Sequence, residues 1–546
     1  MPSHDWRRTA VVYQVYPRSF ADADGDGVGD LPGITGRLGA LAELGVDAVW
    51  LSPFYKSPQA DAGYDVADYR DVDPIFGTLA DFDALLNRAH DLGLKVIVDL
   101  VPNHSSDEHP WFRAALAAAP GSPERERYMF RDGLGENGEL PPNNWDSCFR
   151  GPAWTRTTNA DGSPGQWYLH LFDTKQPDWN WENEDVRAEF LSVLAFWLDR
   201  GADGFRVDVA HALIKAPGLP DIDLRVDDGL EADTEGLFGS GPMWDQDRVH
   251  EIYQSWRELL DTYSTDRILV AEAWLQPLSR LARYVRADEM HQAFNFDYLE
   301  TGWHAPALRR SIDASLTAND SVGAPTTWVL SNHDVVRHVS RLGLNSDGPR
   351  PNGIRAQDPQ PDYALGLRRA KAATLLMLGL PGSAYLYQGE ELGLPDHTSL
   401  DDDLRQDPTW WRSGYTEAGR DGCRIPLPWE SDAPGLGFGP SAKTWLPQPD
   451  SYVELARDRQ AGVEGSTLEM YQAALALRRA FALGAGSLEW GVDRGAHVVA
   501  FTNGEVTVVT NIGAEPVPLP AGEVLMTSDE LTADGLLPPD VTAWLV

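Results

Sequence analysis

Residues 204–211 read GFRVDVAH. Side chains two apart on a strand face the same way, so Arg206 and Asp208 share one face of an otherwise apolar segment. Seven other short apolar segments of the same kind run along the chain. They are AVVYQVYP (10–17), VDAVWLSP (46–53), LKVIVDLVPNH (94–104), RILVAEAW (267–274), QAFNFDYL (292–299), TTWVLSNHD (326–334) and GSAYLYQGEE (382–391). Each ends in polar or Gly-rich residues. Continuous runs rich in Val, Ile, Leu and aromatics suit strands buried on both faces of a parallel sheet.

Helical periodicity fills most of the gaps. LADFDALLNRAHDLG places Phe82, Leu85, Leu86 and Ala89 on one stripe, and RVHEIYQSWRELLDTY does the same with Ile252, Trp256, Leu259 and Leu260. Strand–helix alternation repeated eight times is the pattern of a (β/α)8 TIM barrel. A doubly wound open sheet gives similar local signals, and periodicity does not separate the two. The alternation is interrupted by residues 105–178, which are rich in Pro, Gly, Asn and Trp and too long for a simple βα loop. They are expected to form an inserted lobe, with the barrel built from 1–104 and 179–482. The loop-rich stretch 395–450 is expected to overhang the barrel mouth. From 483 to 546, short alternating runs such as SLEWGVDRGAHVVAFTNGEVTVVTNIG predict a small all-β sandwich domain.

Composition narrows the partners. The 546 residues carry 45 basic and 83 acidic side chains, a net charge of −38, which argues against nucleic acid and anionic membranes. There are 20 Trp, which suit a large core and also the apolar faces of sugars. Two cysteines, Cys148 and Cys423, exclude a disulfide framework. MPSHDWRRTAVVYQVY lacks the apolar core of a signal peptide, and no run of 18 apolar residues occurs, so a cytoplasmic location is expected. The chain is expected to be a monomer or a homodimer.

The strand ends carry the chemistry. Strand three ends in Asn103-His104, strand four carries Arg206 and Asp208, strand five Glu272, and strand seven His333-Asp334. In a TIM barrel these C-terminal ends converge on one site. A carboxylate nucleophile and a carboxylic acid about 5–5.5 Å apart make a retaining glycosidase. Arg206 is expected to keep Asp208 ionised, and a third carboxylate to favour the oxocarbenium-like transition state. Any one of these residues alone is more commonly a helix cap or an ion-pair partner; four strands ending this way together are not.

DLVPNH (99–104), GFRVDVAH (204–211), VAEAW (270–274) and LSNHD (330–334) resemble, in order, the four signature regions of the α-amylase superfamily of glycoside hydrolases. The similarity is greatest to its α-glucosidase and oligo-1,6-glucosidase branch, and the CRIPLPW variant resembles actinobacterial-type α-glucosidases. VYQVYPRSFADADGDGVGDLPGI (12–34) and AGYDVADY (62–69) match further landmarks. The resemblance implies that Asp208 is the nucleophile, Glu272 the acid/base and Asp334 the transition-state stabiliser. It also implies that Tyr64, Asp65, His104, Arg206 and His333 hold the terminal glucose. Phe149 and Phe172 would wall that subsite, and Arg424 would contact glucose hydroxyls, with Arg420 a competitor four residues earlier. The 105–178 lobe would roof a pocket closed at one end, which favours exo-cleavage of short α-glucosides.

DADGDGVGD (22–30) places carboxylates at alternate positions in a Gly-rich turn. That suits a hard cation, although the EF-hand's position-twelve Glu is replaced by Gly33. Relatives bind Ca2+ or Mg2+ at this landmark, which implies a structural ion on Asp22, Asp24, Asp26, Val28 and Asp30, and no cofactor for catalysis. Val209, next to the nucleophile, resembles the residue that accompanies α-1,6 activity in related enzymes. A transferase or isomerase such as a trehalose synthase or sucrose isomerase would share the first half-reaction. A non-catalytic transporter-associated relative would have lost the carboxylate trio that this chain keeps.

Overall fold

A computed structural model describes residues 5–222, 241–264, 266–344, 351–491 and 494–546. All eight predicted strands form: β1 (Val11–Val15), β2 (Ala48–Leu51), β3 (Lys95–Leu100), β4 (Gly204–Val207), β5 (Ile268–Ala271), β6 (Gln292–Ala293), β7 (Thr327–Val329) and β8 (Ser383–Tyr387). They make one sheet in the order β6-β5-β4-β3-β2-β1-β8-β7, and every pair is parallel. The ends meet through a single parallel bridge, Phe294 to Thr327, and the Asn295 N–H donates to the Thr327 carbonyl at 3.0 Å. The sheet is therefore a closed barrel rather than an open doubly wound sheet.

The period-two alternation divides the strand side chains. Val11, Tyr13, Val49, Val96, Val98, Phe205, Val207 and Leu269 belong to the large cluster shared with the helices. Their alternates Val12, Ala48, Trp50, Ile97, Ile268 and Val270 form a separate cluster inside the barrel. Asp99 and Arg206 pair in register two residues beyond Ile97 and Gly204. Gly204 is required by proximity, since a Cβ there would lie 2.1 Å from the Ile268 carbonyl oxygen.

Helices α1 (Leu31–Leu44), α2 (Leu79–Asp91), α3 (Glu184–Asp199), α4 (Val249–Asp261), α5 (Ala305–Asp320), α6 (Tyr363–Leu378) and α7 (Thr467–Ala480) surround the sheet. α2 starts at a Thr78–Asp81 capping box and buries the predicted Phe82, Leu85, Leu86 and Ala89. α4 buries Ile252, Trp256 and Leu260, while Leu259 is half-buried.

Within residues 105–178, segments Phe130–Arg131, Pro164–Leu169 and Trp154–Thr158 make a three-stranded antiparallel sheet. A buried ion pair ties this lobe to the barrel. Lys215 Nζ lies 2.8 Å from Asp178 Oδ2, and it donates to Asn103 Oδ1 at 2.8 Å and to the Ala212 carbonyl at 2.6 Å.

At the C-terminus, the described residues form one five-stranded antiparallel sheet in the order 488–490, 498–503, 506–511, 541–545, 524–527. This is the all-β domain that the alternating runs predict. The sheet packs on α6, where Trp544 Nε1 donates to the Leu375 carbonyl at 3.0 Å and Thr542 Oγ1 to the Ala372 carbonyl at 2.8 Å. Its other face is covered by Val517, Leu519 and Leu537.

Candidate active site

The mouth of the barrel gathers the strand-end residues around one guanidinium. Arg206 Nη1 contacts Asp99 Oδ1 at 2.9 Å and Asp208 Oδ1 at 2.6 Å, and its Nη2 contacts Glu272 Oε2 at 2.9 Å. Its side chain is 2% exposed, and the guanidinium lies 4.9 Å over the Trp50 ring. Glu272 Oε2 also accepts the Val209 N–H at 2.9 Å, and Oε1 accepts from Trp274 Nε1 at 3.2 Å. Val209 has φ +43°, a left-handed conformation that costs a β-branched residue about 1–3 kcal/mol. That turn aims its N–H at the Glu272 carboxylate.

The third carboxylate stands opposite. Asp334 Oδ1 lies 3.0 Å from both Arg420 Nη1 and Arg424 Nη2, and Oδ2 lies 3.2 Å from His333 Nε2. Gln14 Nε2 lies 2.7 Å from His333 Nδ1, and an amide N–H can only donate there. The ring proton therefore sits on Nε2, facing Asp334 and the Tyr64 hydroxyl. Tyr64 stacks on His333 at 5.2 Å and donates to Asp99 Oδ2 at 3.2 Å. His104 packs 5.1 Å from the Phe172 ring, Phe172 meets Phe149 edge-on at 5.6 Å, and Arg420 lies 5.1 Å over Phe149. The predicted aromatic wall is thus continuous from His104 to Arg420.

Two residues change places relative to the sequence-based expectation. Asp65, expected on the sugar, is fully buried in its own loop, where its carboxylate accepts the N–H groups of Ala60 (2.8 Å) and Asp61 (2.9 Å). Asp61 faces the site instead: Arg420 Nη2 contacts it at 2.7 Å, and Gln176 Nε2 donates to it at 3.1 Å. Arg420 and Arg424 are competitors in the sequence, yet both reach Asp334. Arg420 also pairs with Asp407. Asp99, Asp61 and Lys215 are not singled out as site residues by sequence reasoning. Asp99 carries a usable signal, as the one charged residue inside the apolar run VIVDLV.

The charge balance is lopsided. Six carboxyl groups (Asp61, Asp99, Asp208, Glu272, Asp334, Asp407) surround three guanidiniums (Arg206, Arg420, Arg424). Burial pushes Asp99 up to about 7 against the pull of Arg206. Burial also raises Asp208, helped by the charges of Glu272, Asp99 and Asp334, with Arg206 opposing. Arg206, 2.6 Å from Asp208, thus pulls toward the ionised form, the direction expected of it from the sequence, while burial and the neighbouring carboxylates pull the other way. Asp334 behaves oppositely. Burial would raise it, but His333, Arg420 and Arg424 hold it well below the usual carboxylate range. Burial keeps His333 neutral and lowers His104 to about 4.

A family model for the catalytic domain of α-amylase matches residues 14–486. The chain belongs to the α-amylase family of glycoside hydrolases. Among its relatives, a probable α-glucosidase of Rhizobium meliloti is 39% identical over 91% of this chain and 86% of its own. An oligo-1,6-glucosidase of Parageobacillus thermoglucosidasius is 35% identical over 87% and 84%. Among solved structures, an α-glucosyl transfer enzyme aligns with a TM-score of 0.84 at 36% identity over 100% of both chains. The trehalulose synthase of Pseudomonas mesoacidophila aligns at 0.82 and 30% identity, again over 100% of both. Within this α-amylase-family chain, the acidic loop brings oxygens of Asp22, Asp24 and Asp30 within 4.8 Å of one another. Asp26 lies outside that group; its Oδ1 accepts the Val28 N–H at 2.7 Å.

Proposed function

We propose that this enzyme is a retaining, exo-acting α-glucosidase that releases terminal α-linked glucose from short malto- or isomalto-oligosaccharides. The observation that carries the reading is the Arg206 bridge, which sets Asp208 and Glu272 side by side beneath a site whose far wall is the Asp61–Arg420 pair. Arg206 occupies Oδ1 of Asp208, so Oδ2 is the oxygen that attacks the anomeric carbon. Glu272 gives its proton to the glycosidic oxygen as that bond breaks, and a glucosyl–Asp208 ester forms. Glu272 then takes a proton from water, which releases α-glucose. Asp334, held as an anion, orients sugar hydroxyls, and the surplus of carboxylates favours the positive charge developing on the sugar. Tyr64, His104, Arg206, His333, Phe149, Phe172, Asp61, Arg420 and Arg424 enclose the terminal glucose.

A transferase or isomerase reading shares the glucosyl ester and differs only in the acceptor. Structural neighbours carry such activities in their names, while several relatives over most of the chain are named α-glucosidase or oligo-1,6-glucosidase. Hydrolysis is accordingly favoured.

The family needs no cofactor for catalysis. Asp22, Asp24 and Asp30 suit a structural Ca2+ or Mg2+: their oxygens converge, Gly25 and Gly27 N–H groups fix Asp22, and Asp30 is raised first by burial, with Asp22 and Asp24 adding to it. No helix among the described residues is long and apolar enough to cross a membrane; we place the enzyme in the cytoplasm, as a barrel (1–104, 179–482), a roof lobe (105–178) and a C-terminal domain (483–546).

Initial rates on maltose, isomaltose, sucrose, trehalose and kojibiose, with the anomer followed by proton NMR, test the proposal. The expected first product is α-glucose. β-Glucose first, an isomerised disaccharide without free glucose, or undiminished turnover by Asp208→Asn would each overturn it.

A further inference from the structure

Glu272 is held unevenly. Its Oε2 receives two donors, the Val209 N–H and Arg206 Nη2, both at 2.9 Å. Neither group can accept a proton, so Oε2 is saturated as an acceptor and Oε1 is the oxygen that carries the transferable proton. Oε1 in turn faces the indole N–H of Trp274 at 3.2 Å. The indole is itself fixed, since its ring stacks on Phe296 with centroids 3.9 Å apart and an interplanar angle of 10°. Phe296 is buried, and Trp274 is half-buried beside the carboxyl.

We propose that Trp274 is a positioning residue for proton donation by Glu272. Its indole N–H occupies one lone pair of Oε1 and so directs the acidic hydrogen along the other, toward the glycosidic oxygen. When the proton moves to that oxygen, the C1–O electron pair leaves with the departing sugar and Asp208 Oδ2 bonds to C1. Glu272 becomes a carboxylate at that moment, and a donor on Oε1 strengthens as the charge develops. In the second half-reaction the same N–H keeps Oε1 aligned to receive the proton from water. The Trp274–Phe296 stack therefore acts on the acid.

This inference rests on Glu272 being the acid, and the test separates the two claims. Trp274→Phe keeps an aromatic ring on Phe296 and removes the N–H. With maltose, whose leaving group needs protonation, kcat/KM, which reads only the first half-reaction, is expected to fall by about 10–100-fold, the worth of one hydrogen bond to a charged group. With 4-nitrophenyl α-glucoside, whose leaving group departs as an anion, the loss in kcat/KM should stay below about threefold, because the first half-reaction then needs no acid assistance. Equal losses in kcat/KM on the two substrates would overturn the positioning role. Glu272→Gln is run alongside: the same split, larger, is expected, and its absence would show that the acid assignment itself fails. If Trp274→Phe does not fold, Trp274→Leu, which fills the space without a donor, is read by the same ratio.

Discussion

Replacing Lys215 by Met probes the link between barrel and lobe. The amine is 1% exposed and meets three acceptors: Asp178 Oδ2 at 2.8 Å, Asn103 Oδ1 at 2.8 Å and the Ala212 carbonyl at 2.6 Å. Asp178 is 0% exposed, and its Oδ1 accepts the Leu171 N–H at 3.0 Å. Burial lowers the Lys215 pKa while Asp178 opposes that shift. Methionine fills the volume but strands the carboxylate, and breaking such a buried pair costs about 3–5 kcal/mol. For a cooperative unit of this size, an unfolding entropy of about 2 cal/mol/K per residue makes each kcal/mol worth about 1 °C. Differential scanning fluorimetry at one scan rate should therefore show a drop of about 3–5 °C. Adding Asp178→Asn removes the stranded charge and should recover part of the loss. Asn103 precedes His104, so KM for maltose should rise in the single variant. A drop under about 1 °C, or a double variant no more stable than Lys215→Met, would refute the account of the pair as a mutual solution to burial.

Features away from that pair give three further expected outcomes. Glu390 is buried, its Oε1 accepts the Tyr387 N–H at 2.9 Å, and burial raises it to about 8. Its folded pKa lies above the unfolded value, so this contribution is complete at low pH and is lost as pH rises toward 8. Glu390→Gln should match the wild type near pH 5 and melt higher near pH 9, and equal melting curves at both pH values would exclude the effect. Added Ca2+ or Mg2+ should raise the melting temperature by an amount that grows with concentration, about 2.7 kcal/mol at a hundredfold excess over Kd, and Asp24→Ala should abolish the response; a variant that still responds would place the ion elsewhere. Val209→Ala should raise the maltose-to-isomaltose rate ratio severalfold by trimming the wall beside Asp208, and an unchanged ratio would remove Val209 from linkage selection.

The contrast between legible and illegible parts tracks sequence distance. The eight strands and the stripes on α2 and α4 depend on local periodicity, which a single chain displays. Asp208, Glu272 and Asp334 are legible because a barrel sends every strand end to one rim. Asp61 and Arg420 meet across 359 positions, and nothing local distinguishes Asp61 from Asp65, which stands three residues before the DYRDV strand. Which of the two faces the site and which ties down the loop is decided by the backbone of residues 60–64. Lys215 in HALIKAP reads as an ordinary surface lysine, and only the arrival of Asp178 and Asn103 explains it. The C-terminal strands are visible in the sequence, but their partner layer, α6, lies more than a hundred residues upstream.

The barrel seam has a practical corollary. Seven of the eight strand junctions are ladders, whereas β6 and β7 touch through the Phe294–Thr327 bridge. A chain divided in the turn at 321–323, after α5, would yield a six-stranded piece and a two-stranded piece. Their reassembly would rely on the β1–β8 ladder, which pairs Val11 to Gln14 with Ala384 to Tyr387, and would have to remake only that single bridge on the other side. Asp208 and Glu272 would travel on one fragment and Asp334 on the other, so glucose release would report the joining of two halves.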